Sequence, residues 1–187
     1  MADSPESSPQ AGLTRRVALV ALICLLWLGC PTREKPLSPQ AGAFRQEMRE
    51  TLSSLMAVLV EPVCRNDTKA CEQAILKLYP EAPQDTMTFP FRLGIINRDG
   101  VLIYTIPPVK NVGEDYSQYQ AVREALKGRR IKNARLYAPD GKEVYLILAP
   151  MFKDRQLVGL LVLRLDPALV QQRWGLGEED FLAVDLN

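Results

Sequence analysis

The chain has 187 residues, 47% of them hydrophobic, with a formal net charge of +1. That balance suits an ordinary folded domain and fits neither a disordered tail nor a nucleic-acid binder, which needs a basic excess. Histidine is absent and neither common Gly-rich phosphate loop occurs, which removes imidazole zinc sites, Ser-His-Asp and Cys-His pairs and histidine general bases together.

Residues 1–16 are polar and end in Arg15-Arg16, and "VALVALICLLWLG" (Val17 to Gly29) follows. This apolar run is shorter than the ~20 residues a bilayer span needs, and its basic-then-apolar order is that of a secretory signal. It stops at Gly29-Cys30. "LWLGC" resembles the bacterial lipobox, whose cysteine is lipidated and becomes the first mature residue, although Leu28 and Trp27 stand where that motif has a small residue and a leucine. The resemblance makes 1–29 a lipoprotein signal peptide and Cys30 the lipidation site; a plain signal peptide and an uncleaved signal anchor are the alternatives. Cys64 and Cys71 then remain, too few for a cysteine-only zinc site. In an oxidising compartment a Cys64–Cys71 disulfide across "CRNDTKAC" is expected, with two unpaired buried cysteines as the alternative.

Residues 30–40 join the lipidated cysteine to a proline-rich polar tether, leaving 41–187 as a single domain. Ser38-Pro39 is a helix start, and Phe44, Met48, Leu52, Leu55 and Leu59 recur at three- and four-residue spacing. This predicts a long amphipathic helix over 41–62, stopped by Pro62. A short helix within 64–79 follows Asp67 and ends before Pro80. The period then changes. "FRLGIIN-RDG-VLIYTIPP" predicts a β-hairpin, and "GEDYSQYQAVREALKGRR" a helix with Val122 and Leu126 inward and Gly128 as its stop. "KNARLYA-PDG-KEVYLILAPMF" is a second hairpin about Pro139-Asp140-Gly141, and "KDRQ" turns it into "LVGLLVLRLD". Pro167 opens a last helix, and "DFLAVDLN" reads as a closing strand.

The expected class is α+β, with one face of an antiparallel sheet under the long helix and the other under the middle helix and loops. Along the last long strand Arg164 shares a face with Val158, Leu160 and Val162, while Leu161, Leu163 and Leu165 face the other way. An arginine in a partly dry cavity grips a carboxylate or phosphate through two parallel charge-assisted bonds. The alternative is a strand-end arginine paired with Asp166 or another carboxylate.

The order and letters from about 91 to 170 resemble the Cache domain, a PAS-like extracytoplasmic sensor module of chemoreceptors and sensor kinases. The 44–59 helix stands in the place of the family's long N-terminal helix. "INRDGVLIYT" resembles its strand–Asp-Gly–strand hairpin. "GEDYSQYQAVREALKG" resembles its G-x-D-x-S segment running into E-A-L-x-G, and "LAPMFKDRQLVGLLVLRLDPALV" its closing strands. The resemblance implies a five-stranded PAS-like core (91–170) and a small ligand between the sheet and the middle helix. The family's amino-acid binders carry an arginine and an aromatic pair before E-A-L; here Tyr119, Ala121 and Val122 take those places. They often carry an aspartate five residues after the last strand's glycine, and here that residue is Arg164. Both departures argue against an amino acid held in the family's way.

Candidate pocket residues are therefore Arg164, Tyr119, Arg123, Tyr137 and Tyr145. Alternatively Tyr137 and Tyr145 form a cross-strand surface pair and Arg123 sits on an exposed helix face. No cofactor, metal or catalytic constellation is implied, because Asp99, Asp115 and Asp140 fall in turns. The expected function is a lipid-anchored extracytoplasmic sensor of a small, anionic ligand, signalling through a separate membrane sensor kinase or chemoreceptor. The alternative is an interaction or assembly lipoprotein that keeps the fold without a small ligand.

Overall fold

A computed structural model describes residues 37–80, 91–138 and 141–187. The expected signal peptide, Cys30, most of the tether, the 81–90 loop and the Pro139-Asp140 turn lie outside the described residues.

Helix α1 (Pro39–Cys64) starts at Ser38, whose side-chain oxygen accepts from the Ala41 amide at 3.1 Å. Phe44, Met48, Leu52, Leu55 and Leu59 form a fully buried stripe along it. The expected stop at Pro62 does not occur: the helix runs through that residue to Cys64. A proline there deprives only the Val58 carbonyl of its donor, close to the helix end, and burial of Pro62 and Val63 offsets the loss. Asn66, in the left-handed region at φ 55°, turns the chain. Asp67 then caps α2 (Thr68–Leu78) by accepting from the Ala70 amide at 3.0 Å.

Five strands follow: β1 (Phe91–Asn97), β2 (Leu102–Ile106), β3 (Lys132–Tyr137), β4 (Glu143–Lys153) and β5 (Gln156–Leu165). Their order in the sheet is β2-β1-β5-β4-β3 with every neighbour antiparallel, so β5 is central. Alternation separates two apolar layers. Leu93, Ile95, Ile147, Leu161, Leu163 and Leu165 join the α1 core, while Ile96, Leu146, Leu148 and Leu160 join the opposite one. Helix α3 (Gln120–Lys127) covers part of that second face with Val122 and Ala125.

Val158 departs from the expected face and packs on the α1 side. The β4–β5 register passes from Met151↔Gly159 to Phe152↔Leu157, so Val158 is an extra residue that shifts the alternation. The neighbouring Gly159 admits no side chain, since a Cβ would lie 2.5 Å from the Ile96 carbonyl oxygen.

Two short helices close the chain. Asp166 caps α4 (Pro167–Trp174), accepting from the Ala168 amide at 2.8 Å. The expected strand in "DFLAVDLN" is instead helix α5 (Glu178–Ala183) and a short tail. Glu178, Glu179 and Asp180 occupy its first turn, where carboxylates favour the positive end of a helix, and Phe181 is buried. Phe44 meets Trp174 and Phe181 edge-on, at 5.1 and 5.9 Å between ring centroids.

The expected Cys64–Cys71 disulfide is not formed: both are free thiols, Cys64 exposed and Cys71 wholly buried. Cys64 ends α1 in solvent while Cys71 turns inward from α2, so the two side chains occupy different environments.

Candidate ligand-binding site

On the sheet face away from α1 lies a cavity of about 150 Å³. Gly94, Ile96, Leu146, Leu148 and Val162 form its sheet side, and Tyr116, Tyr119 and Val122 face them from the β2–α3 segment and α3. Arg92 and Arg164 also line it.

The arginines are direct cross-strand partners, Arg92 on β1 against Arg164 on β5, and therefore share a face. Arg164 is half-buried and Arg92 exposed. Among the described residues neither guanidinium has a hydrogen-bond or ion-pair partner, and no carboxylate lines the cavity. Asp166, the acid nearest to Arg164 in sequence, is occupied as the α4 cap. Like charges directly opposite destabilise a strand pair, and an anion between them converts repulsion into a bridge.

The β2–α3 segment is held in place by backbone bonds. The Leu102 amide donates to Glu114 O at 3.0 Å and the Tyr116 amide to Gly100 O at 2.8 Å. Gly100 sits at φ +90°, and a Cβ there would lie 2.8 Å from the Ser117 Cβ, so this close approach needs glycine. Asp115 accepts from the Ser117 amide at 2.7 Å, and hydrogen bonds from the Ser117 side chain first, then from that amide, hold its carboxyl below the ordinary value. The Tyr116 and Tyr119 rings lie 5.5 Å apart. Burial pushes the Tyr116 phenol above its ordinary value, against the opposing pull of its Asn111 hydrogen bond and of the nearby Arg164 charge. It stays protonated at neutral pH and is available as a donor.

Of the residues expected at a pocket, Arg164 and Tyr119 line this cavity together. Tyr137 stands at the rim, 62% exposed, with the Arg135 guanidinium 5.6 Å from its ring centroid. Arg123 does not line the cavity: its Nη1 donates to the Ser117 and Gln118 carbonyls, at 3.3 and 2.9 Å, and braces the entry to α3. Tyr145 lies on the opposite face, stacked on Phe181 at 4.5 Å between ring centroids. The register pairs Leu146, not Tyr145, with Arg164, so the tyrosine alternates away. Sequence reasoning missed Arg92, Gly94 and Tyr116. Tyr116 lies in the same "DYSQY" segment as Tyr119, but Arg92 becomes visible only through the long-range β1–β5 register.

No protein-family model matches the chain, and no curated protein does. Solved structures do. The extracellular domain of the putative histidine kinase vpHK1S-Z8 superposes with a TM-score of 0.58 at 14% identity, covering 90% of this chain and 64% of that one. A domain of a putative sensory box/GGDEF family protein from Vibrio parahaemolyticus gives 0.56 at 14% identity, covering 89% and 66%. The fold is Cache-like. The chain spans just under two thirds of the length of both relatives, and what it shares with them at this identity is architecture. The Cache-like sheet, the long N-terminal helix and the helices on both faces agree with the expectation from sequence. Among the described residues no helix is long and apolar enough to cross a membrane.

Proposed function

We propose that the Cache-like domain is an extracytoplasmic sensor that binds a small anion between Arg92 and Arg164, and that lipid on Cys30 holds it at a membrane. The cross-strand arginines over an apolar cavity, whose guanidiniums have no ion-pair partner among the described residues, carry this reading. Two guanidiniums offer parallel charge-assisted bonds to one carboxylate, and apolar walls strengthen those bonds by excluding water. The fold relatives, one from a putative histidine kinase and one from a putative sensory box/GGDEF protein, favour a signalling role. Occupancy would pass to a separate membrane protein, a sensor kinase or chemoreceptor, by way of α1.

Calorimetric titration of the protein with carboxylates, phosphate and chloride tests the reading. Saturable one-to-one binding of a carboxylate, lost on Arg164→Ala with the melting transition intact, is expected. Binding that survives Arg164→Ala and Arg92→Ala unchanged would place the anion elsewhere. An unfolded Arg164→Ala chain would make that residue structural.

A further inference from the structure

We infer that this cavity selects a monoanion with an apolar body about the size of one six-membered ring, an aryl or branched short-chain carboxylate, and turns away amino acids and dicarboxylates. The inference rests on the anion-binding reading and specifies the ligand class.

The first argument is the polarity of the cavity along β1 and β5. Arg92↔Arg164 is followed on the same face by Gly94↔Val162 and then by Ile96↔Leu160. Same-face pairs succeed one another every ~7 Å along a strand. Charge therefore sits at one end only, and the next two steps are apolar. An anion at the arginines carries its body over Gly94 and Val162 and meets Ile96 and Leu160.

The second argument is what is missing around that body. An amino acid brings an ammonium group, which needs an acceptor, but among the described residues no carboxylate lines the cavity and two positive charges do. Glu114 lies close enough to influence Tyr116, yet it is exposed and accepts from the Asn111 side chain at 3.1 Å. A dicarboxylate places its second charge against Ile96, Leu146 and Leu148, away from both guanidiniums, where the described lining offers tyrosine hydroxyls but no cation to pair with it. The hydroxyls on the lining belong to Thr105 and the tyrosines, and Thr105 Oγ1 already accepts from the Val109 amide at 3.1 Å.

The third argument is size, and here Gly94 decides. Apolar cavities of about 150 Å³ accommodate a benzene-sized molecule, and this one has that volume. A Cβ on Gly94 would sit 3.5 Å from Leu102 Cδ1, 3.7 Å from Val162 Cβ and 3.9 Å from Thr105 Cγ2, ordinary contacts with three lining residues. No strained backbone forces glycine at this position. Its lack of a side chain leaves open the space that the ligand body fills, so Gly94 acts as a size-determining residue.

Matched probes separate the terms. 4-Methylpentanoate and leucine share one carbon skeleton and differ by the ammonium group; glutarate adds a second carboxylate, and acetate has no body. Each is titrated calorimetrically into the detergent-solubilised full chain and into Gly94→Ala. For the unaltered chain, 4-methylpentanoate is expected to bind on the order of 100-fold tighter than leucine or glutarate, since an unpaired like charge is strongly rejected. Gly94→Ala is expected to weaken 4-methylpentanoate about tenfold or more while sparing acetate, the usual scale for one misfitting methyl group. Leucine or glutarate binding as tightly as 4-methylpentanoate overturns the ligand class and leaves the anion site standing. A Gly94→Ala chain that melts normally and binds every probe as before overturns the role of Gly94. Absence of saturable binding by all four probes overturns both this inference and the anion site.

Discussion

Replacing Arg92 by alanine has two consequences of opposite sign. In the empty domain the substitution removes a positive charge directly opposite Arg164. Cross-strand pairs of this kind contribute roughly 0.2–1 kcal/mol, so the empty variant should be as stable as the parent or slightly more so. Arg92 is exposed, which places the gain at the lower end and makes it shrink with added salt. A change of that size corresponds to a rise of at most about 2 °C in melting temperature. With an anion at 100 times its dissociation constant, the parent gains about 2.7 kcal/mol. Losing hydrogen bonds to a charged group costs about 1.5–3 kcal/mol, which weakens binding roughly 10- to 150-fold. At the same ligand concentration the gain falls to about 0.3–1.4 kcal/mol. Thermal melts of both proteins across a 4-methylpentanoate series and two salt concentrations measure both effects. A variant that melts several degrees lower when empty, with its ligand-induced shift unchanged, would refute the reasoning and make Arg92 a structural residue.

Burial pushes the Cys71 thiol from an ordinary value near 9 up to about 11. A raised value means the fold keeps a proton that the unfolded chain gives up, so stability is full below pH 9 and falls by roughly 2–3 kcal/mol up to pH 11. The half-buried Tyr104 phenol, raised to about 12 by its desolvation, acts in the same direction at higher pH, and Cys71→Ala isolates the thiol's part. In a fragment spanning 37–187, a thiol reagent should label Cys64 in the native state and Cys71 only on unfolding; two silent thiols after unfolding without reductant would indicate a disulfide. Cys30→Ala should move the chain from the membrane to the soluble fraction and abolish incorporation of labelled fatty acid, and retention of label would place the anchor elsewhere.

The parts of the fold legible in the sequence are those in which one chain segment carries its own period. The Phe44–Leu59 stripe has only one face to bury and declares itself, as does the Asp67 cap of α2. The orientation of Arg164 relative to Leu161 and Leu163 followed from alternation within a single strand. Tyr145 did not, because β4 is buried on both faces from Val144 to Pro150 and offers no polar beat from which to read its phase. Val158 escaped for another reason: a bulge adds one residue and reverses the face without altering composition. Arg92 needed a pairing between strands about seventy residues apart, which no local pattern encodes. The disulfide expectation rested on compartment and count, and neither specifies which way two side chains turn from the ends of adjacent helices.

The central place of β5 joins the two sides of the molecule. A molecule gripping Arg164 pulls on a residue whose immediate neighbours, Leu163 and Leu165, are pressed into the layer that holds α1. On the proposed reading one strand would be both the contact and the relay, since β5 carries Arg164 on one face and Leu163 and Leu165 on the other. Any slide of β5 that accommodates a guest on one face shifts the bed of the long helix on the other by the same amount. In such a sensor the distance from stimulus to output would be the thickness of a single β-strand.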